Sequence, residues 1–355
     1  MPFPTSWRRP LSALGLALAA LSLAACGETS AGGGGGGEQK KGPEKKAASE
    51  ITIGYAGPTL TNAFFVGLSQ GVKDAAQEKG FKVKETNANG DAATQVNDAQ
   101  NLINQGVGAL VVTPIDQNGI IPAVQAANQK NIPVFTLDRG AKGGDITSFV
   151  ETDNVKAGKD GAKYIADRLK ERYGKPEGKV VDLQGLVGTS AAADREKGFQ
   201  EGIKQYPDIE VVANQEASFD QEKALNVTSN ILEANKKIDA IFGANDDNTI
   251  GAIRAIDAAK RDAPLEDDKH IIVVGIDGTE QALQAIRDGK QDATISQNPI
   301  KMAGQAIAYA EAALVEGKEG EIKKRFFWPT ILIDKENIDS PEVKEYGLWS
   351  KEVKE

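Results

Sequence analysis

Short apolar runs alternate with longer amphipathic segments along nearly the whole chain after Glu50. Strands with helices intervening over so short a length of chain imply a parallel α/β sheet. The pattern predicts strands at 51–55, 83–86, 109–113 and 133–137, with helices at 64–79, 92–104 and 120–130 between them. A strand at 146–150 follows, and then the alternation restarts. Helices are predicted at 155–173, 194–206, 222–234 and 249–259, and strands at 179–183, 209–213, 240–243 and 271–275. A strand at 293–296, a helix at 302–316 and a strand at 327–333 complete the set. Parallel neighbours need right-handed crossovers, and 355 residues suit two domains at about 150 residues each. The expected fold class is α/β, with two doubly wound parallel-sheet lobes.

Composition narrows the chemistry. The 42 Lys+Arg against 51 Asp+Glu leave a net charge of −9, which repels phosphate backbones and anionic lipid, so no nucleic-acid partner is expected. One Cys and one His cannot form an internal disulfide or a zinc site of the usual His/Cys kind. A catalytic Ser/His or Cys/His pair would have to use His270. That residue follows Asp267-Asp268-Lys269 and reads as a solvated loop side chain. Neither a GxxxxGK[ST] loop nor a GxGxxG after a strand is present, so no cofactor or metal is expected.

In open parallel sheets, ligands gather beyond the carboxyl ends of the strands. Polar and aromatic residues cluster at those ends. Asn62, Phe64 and Phe65 follow the first strand, and Asp138-Arg139 follow the fourth. Arg195 and Phe219 lie beyond two later strands, and Asn245-Asp246, Asp277 and Gln297 beyond three more. Each has a simpler role available: Asp246 suits a helix cap, Asp277 before Gly278 a turn, the phenylalanines core, the arginines surface charge. Together they suit a sugar. Carboxylates accept, guanidinium forks donate, and amides do both, which satisfies adjacent hydroxyls. Aromatic faces cover the apolar face of a pyranose ring.

These residues carry a family resemblance. From about Glu50 to Ile333 the chain resembles the periplasmic D-ribose-binding proteins of ABC importers, which have the type I periplasmic binding fold. The matching segments are Thr61-Asn62-Ala63-Phe64-Phe65, Asn131 to Arg139, Leu183-Gln184-Gly185 and Gly188-Thr189-Ser190-Ala191-Ala192. Phe219-Asp220, Asn245-Asp246, Val274 to Thr279 and Ala293 to Gln297 continue the match. The resemblance implies that Phe64, Phe65 and Phe219 sandwich a sugar ring. Asn62, Asp138, Arg139, Arg195, Asn245, Asp277 and Gln297 would hydrogen-bond its hydroxyls. It further implies a three-crossing hinge near Thr152-Asp153, Asn298-Pro299 and Thr330. The first lobe would hold 51–152 plus 298–329, and the second 153–297 plus the tail 330–355. Two positions depart from the pattern: Pro58 stands where ribose binders often have Ser, and Ile276 where they often have Phe.

The function so implied is an extracytoplasmic solute-binding protein that captures a monosaccharide, D-ribose first, and delivers it as a monomer to an ABC permease. A sensor presenting the sugar to a membrane receptor would share every binding residue. An enzyme using Asp138 and Asp277 as an acid/base pair fits less well, because adjacent Arg139 should depress the Asp138 pKa.

The first fifty residues look like an address and a tether. A basic head, Trp7-Arg8-Arg9-Pro10, precedes a run at 11–25 without charge, too short to span a membrane as a standard helix. The run ends in Leu23-Ala24-Ala25-Cys26, which resembles the bacterial lipobox. Residues 1–25 are therefore expected to be a lipoprotein signal peptide, and 26–49 an acylated Cys26 with a flexible linker. Six consecutive glycines and many Lys and Glu residues fill that linker, a composition that cannot bury enough surface to order itself. Its reach is on the order of 25 Å, and lipid is the expected means of membrane contact. Replacing the sole thiol, Cys26→Ser, should move the protein from the membrane fraction to the soluble fraction and leave ligand binding intact. Each buried CH₂ of an acyl chain contributes about 0.8 kcal/mol to anchoring. Wild-type protein that fractionates as soluble without lipid mass would refute the tether.

Overall fold

The computed structural model describes residues 47–344 and Trp349. The expected signal peptide, Cys26 and most of the linker lie outside those residues. The first lobe begins β1 (Thr52–Gly57), α1 (Ala63–Glu78), β2 (Lys82–Asn87), α2 (Ala92–Asn104) and β3 (Ala109–Val112). It continues through α3 (Ile121–Gln129), β4 (Val134–Leu137) and β5 (Ser148–Thr152). The second lobe runs α4 (Asn154–Tyr173), β6 (Gly178–Gln184), α5 (Ser190–Ile203), β7 (Ile209–Glu216), α6 (Gln221–Ala234) and β8 (Ala240–Gly243). Then come α7 (Asp246–Ala258), β9 (Ile272–Asp277), α8 (Glu280–Arg287) and β10 (Ala293–Ser296). The chain returns to the first lobe with α9 (Pro299–Glu311) and β11 (Arg325–Trp328), and β12 (Ile331–Asp334) joins the second sheet.

Hydrogen bonding orders the first sheet β11-β5-β4-β3-β1-β2 and the second β12-β10-β9-β8-β6-β7. The two lobes thus repeat one strand order without an obvious sequence repeat. Every pairing is parallel except β10 with β12. The strands β3, β4, β8, β9 and β10 are buried along their whole length, as in a parallel sheet covered by helices on both faces. In the first lobe α1 and α9 cover one face of the sheet, and α2 and α3 the other. In the second, α4 and α5 cover one face, and α6 and α7 the other. The doubly wound architecture expected from the sequence is present.

Four local expectations need correction. The single strand expected over 327–333 is two strands in different sheets, separated at Pro329-Thr330, since proline has no N–H to continue a ladder. Helix α8 was not expected; its apolar stripe of Ala282, Leu283, Ala285 and Ile286 is short and follows a capping Thr279. His270 is not solvated. It is buried, its Nε2 lies 2.9 Å from Asp292 Oδ2, and its Nδ1 lies 2.9 Å from the Ala263 carbonyl. Burial opposes its charge, yet the Asp292 carboxylate outweighs that and raises its pKa. Finally, the tail 330–355 does not belong wholly to the second lobe, because Trp349 joins the apolar cluster of the first.

Glu151, on β5, shows how burial can outweigh a partner. Its side chain is 1% exposed and pairs with Arg325 of β11. Arg325 is half exposed and also reaches Asp194 of α5 at 3.7 Å. Burial lifts the Glu151 carboxyl from 4.5 to about 7 against the pull of Arg325, with Asp194 and Asp138 adding repulsion. The hydrated guanidinium also rises, because pairing with Glu151 exceeds its smaller burial. Between pH 4.5 and 7 the folded chain therefore binds more protons at this site than the unfolded chain, so its stability falls as pH rises through that window. Glu151→Gln should flatten that slope, by at most about 3 kcal/mol across the window. Urea melts at pH 5 and pH 7.5 check it; an unchanged pH difference would show that Glu151 does not titrate there.

Candidate functional site

The lobes meet along the carboxyl ends of both sheets, and one cavity lies between them. Asn62, Phe64, Phe65, Asp138 and Arg139 line it from the first lobe, and Ala191, Arg195, Phe219, Asn245, Asp277 and Gln297 from the second side. The ten residues to which the resemblance gives sugar contacts are in that lining, with Ala191 as an addition, whereas Asp246, also at a strand end, is not. The lining residues converge on a narrow cleft. Pro58 and Ile276 do not line the cavity, and Ile276 faces the second-lobe core.

Local structure explains how each side chain reaches the cavity. Asn62 caps α1, its Oδ1 accepting from the Phe64 and Phe65 amides. This cap sets the first turn of the helix, which projects both rings inward. Phe64 and Phe65 meet edge-on at 5.6 Å, the arrangement that opposed ring quadrupoles favour. Phe219 comes from the β7–α6 turn with φ +58, preceded by Ser218 at φ +59. Its ring crosses directly over Gly185, where a Cβ would lie 2.1 Å from it. Asp138 (φ +63) and Asp277 (φ +135) also occupy backbone regions that L residues rarely adopt. Strain of this kind collects where surrounding structure holds a side chain in a functional direction.

Charge in the cavity is buried and only partly compensated. Arg195 donates from Nε to Asn154 Oδ1 at 2.7 Å and from Nη1 to the Ala244 carbonyl at 2.7 Å. It lies 3.7 Å from Asp277 Oδ1, which also accepts from Gln297 Nε2 at 2.6 Å. Gln297 is oriented in turn by the Thr152 hydroxyl at 2.5 Å. Arg139 stands over the Phe65 ring at 4.8 Å and beside Phe219 at 5.6 Å, with Arg195 on Phe219 at 5.7 Å. Arg139 Nε lies 3.6 Å from Asp138 Oδ2, too far for a hydrogen bond. Asp138 Oδ1 and Arg139 Nε are buried without a hydrogen-bond partner. The expected depression of Asp138 by Arg139 does not occur. Burial comes first and raises the Asp138 carboxyl, with Arg139 and Arg195 pulling the other way. Burial likewise lifts Asp277 well above its ordinary value, against Arg195, and pushes Arg139 down.

Two acidic neighbours have roles the sequence left open. Asp246 does not cap α7; Asn245 does, accepting from Asn248 N–H at 3.0 Å. Asp246 is fully buried, and its Oδ2 accepts from the Gly278 and Thr279 amides at 2.9 and 2.8 Å. Its Oδ1 accepts from the Thr294 hydroxyl at 2.8 Å. The carboxylate therefore clamps the turn that carries Asp277, although burial still raises its pKa to about 6. Asp247, not singled out from the sequence, accepts from Gln221 Nε2 at 2.8 Å and from Asn62 of the opposite lobe. Its position directly after Asn245-Asp246, at the same strand end, was the available signal. Other bridges join the lobes at Gly140 N to Ser190 Oγ, 2.9 Å, and Gln117 N to the Gly188 carbonyl, 3.2 Å.

Known proteins share this architecture. The family described as periplasmic binding protein domain matches residues 53–319. The ribose import binding protein RbsB of Bacillus subtilis (strain 168) is 38% identical over 270 residues, 76% of this chain and 83% of that protein. The xylitol-binding protein of Mycolicibacterium smegmatis is 31% identical over 279 residues, 78% of this chain and 76% of that protein. A solved ABC transporter periplasmic solute binding protein from Actinobacillus succinogenes 130z with bound D-allose superposes with a TM-score of 0.72. It is 31% identical and covers 83% of this chain and 99% of that one.

The Asp246 clamp yields a direct test. Asp246→Ala removes a buried acceptor shared by the Gly278 and Thr279 amides and the Thr279 and Thr294 hydroxyls, and should lower the stability of the ligand-free protein by about 2–4 kcal/mol. Chemical denaturation checks this; a loss below about 0.5 kcal/mol would mean the turn holds itself.

Proposed function

This chain belongs to the periplasmic binding protein family, and from that premise we propose that it captures D-ribose in the cleft for an ABC importer. Membership makes it an extracytoplasmic solute-binding protein of sugar ABC transport, not an enzyme. The choice of sugar is the proposal, because the relatives are named for ribose, xylitol and allose. The observation that carries it is the pairing of three phenylalanine walls with Asp138 Oδ1 and Arg139 Nε, both buried and lacking partners. A neutral ring with adjacent hydroxyls supplies a donor to the carboxylate and an acceptor to the guanidinium, while its C–H face covers the aromatics.

In the proposed mechanism the ten polar and aromatic lining residues contact sugar, and the lobes are 51–152 plus 298–329 and 153–297 plus 330–344, hinged where the chain crosses between sheets. Sugar held between both lobes favours the closed form, because only there does it touch both sides. The closed face is then what the permease engages. We also propose that Cys26 is acylated and holds the protein at a bacterial membrane.

Calorimetry against ribose, xylose, arabinose, allose, galactose and glucose tests the choice of sugar. Ribose should bind at least about tenfold more tightly than the others, because a misplaced hydroxyl leaves a buried group unpaired at about 1–3 kcal/mol. A hexose binding tightest would overturn it. Asp277→Asn should weaken ribose binding about tenfold to a hundredfold. Wild-type affinity in that variant would remove Asp277 from the site.

A further inference from the structure

We infer that Trp349 is a positioning residue of the cleft, holding the Asp277 backbone and the Phe64 ring with one side chain. The inference rests on reading the cleft as a sugar site. Trp349 lies beyond the 53–319 segment that matches the family, and it is completely buried. Its indole N–H donates to the Asp277 carbonyl at 2.8 Å. Its ring meets Phe64 edge-on at 6.1 Å. A Cβ at Gly67 would stand 3.1 Å from that ring, so α1 packs closely against it at this glycine.

The two contacts belong to different lobes. Phe64 is a wall of the first lobe, and Asp277 is the last residue of β9 in the second. Asp277 holds φ at +135, a region in which an L residue stays only when neighbours fix it. The peptide that follows it is held on both sides. Its N–H, from Gly278, donates to Asp246 Oδ2 at 2.9 Å, and its carbonyl takes the indole N–H at 2.8 Å. The carbonyl's other donors are longer, Gln297 N at 3.1 Å and Ser296 Oγ at 3.4 Å. Holding this peptide helps fix the backbone from which the Asp277 carboxylate reaches Arg195 and Gln297. The indole therefore acts on the ligand through Asp277 and Phe64 without lining the cavity itself.

Two variants separate positioning from simple plugging. Trp349→Phe keeps an aromatic ring and removes the N–H; Trp349→Ala removes both. Each is made in the full chain and measured by D-ribose calorimetry, ligand-free melting and amide hydrogen exchange at Gly278 without sugar. Positioning predicts that Trp349→Phe weakens ribose about three- to tenfold and speeds Gly278 exchange, beyond the melting loss that a smaller buried ring brings under either account. Trp349→Ala should weaken binding further. A tail that merely plugs the lobe predicts lower melting points with wild-type ribose affinity and wild-type Gly278 exchange, and that result overturns the inference. Should wild-type protein bind no ribose, the sugar reading fails separately. The exchange measurement then decides alone: faster exchange in Trp349→Phe upholds the coupling, and unchanged exchange refutes it.

Discussion

The buried Asp277 carboxylate is the group around which the second lobe is arranged. A carboxylate removed from water is costly unless it is paired and hydrogen-bonded. Arg195, Gln297 and Asn245 converge on it from α5, the end of β10 and the end of β8. Each of these is fixed by something further out: Arg195 by Asn154 and the Ala244 carbonyl, Gln297 by Thr152, and Asn245 by its capping bond. The backbone under the carboxylate is held by the Asp246 clamp. The chain of support thus runs from one charge into four strands and three helices. That support lets the cleft keep polar groups pointed at a ligand before any ligand arrives.

The first lobe is built differently. Its contribution is mostly aromatic, with Phe64 and Phe65 projected by a single Asn62 cap, and one ion pair, Asp138 with Arg139, at the end of β4. That pair is poorly satisfied: burial outweighs attraction for both partners. The site is therefore asymmetric, with an ordered network on one side and unmet polar atoms beside aromatic walls on the other. Under the proposed function, sugar hydroxyls complete the second side and so favour closure.

Much of this was legible in the sequence because parallel sheets impose a simple rule. Continuous apolar runs such as Ala240–Gly243 mark strands, and ligands collect where they end, so strand-end residues such as Asn245 and Gln297 could be named together. What was hidden depended on tertiary partners. Asp246 suits a cap in the local sequence, which cannot show that Gly278 and Thr279, 32 and 33 residues further along the chain, offer it better donors. His270 looked solvated beside Asp267 and Asp268, yet Asp292 from the neighbouring strand draws it inward. The Asp138 pKa was misjudged for the same reason: adjacency to Arg139 is visible in the sequence, whereas burial is not. Trp349 carried no motif at all, and only its contact with Asp277 gives it meaning.

The central claim is that hydroxyl groups of a neutral sugar satisfy the buried polar atoms of this cleft. The most direct measurement compares D-ribose with 2-deoxy-D-ribose by calorimetry on the same preparation. Removing one hydroxyl leaves a buried partner unmatched at about 1–3 kcal/mol, so the deoxy sugar should bind about tenfold to a hundredfold more weakly. Equal affinity for the two sugars would contradict the account.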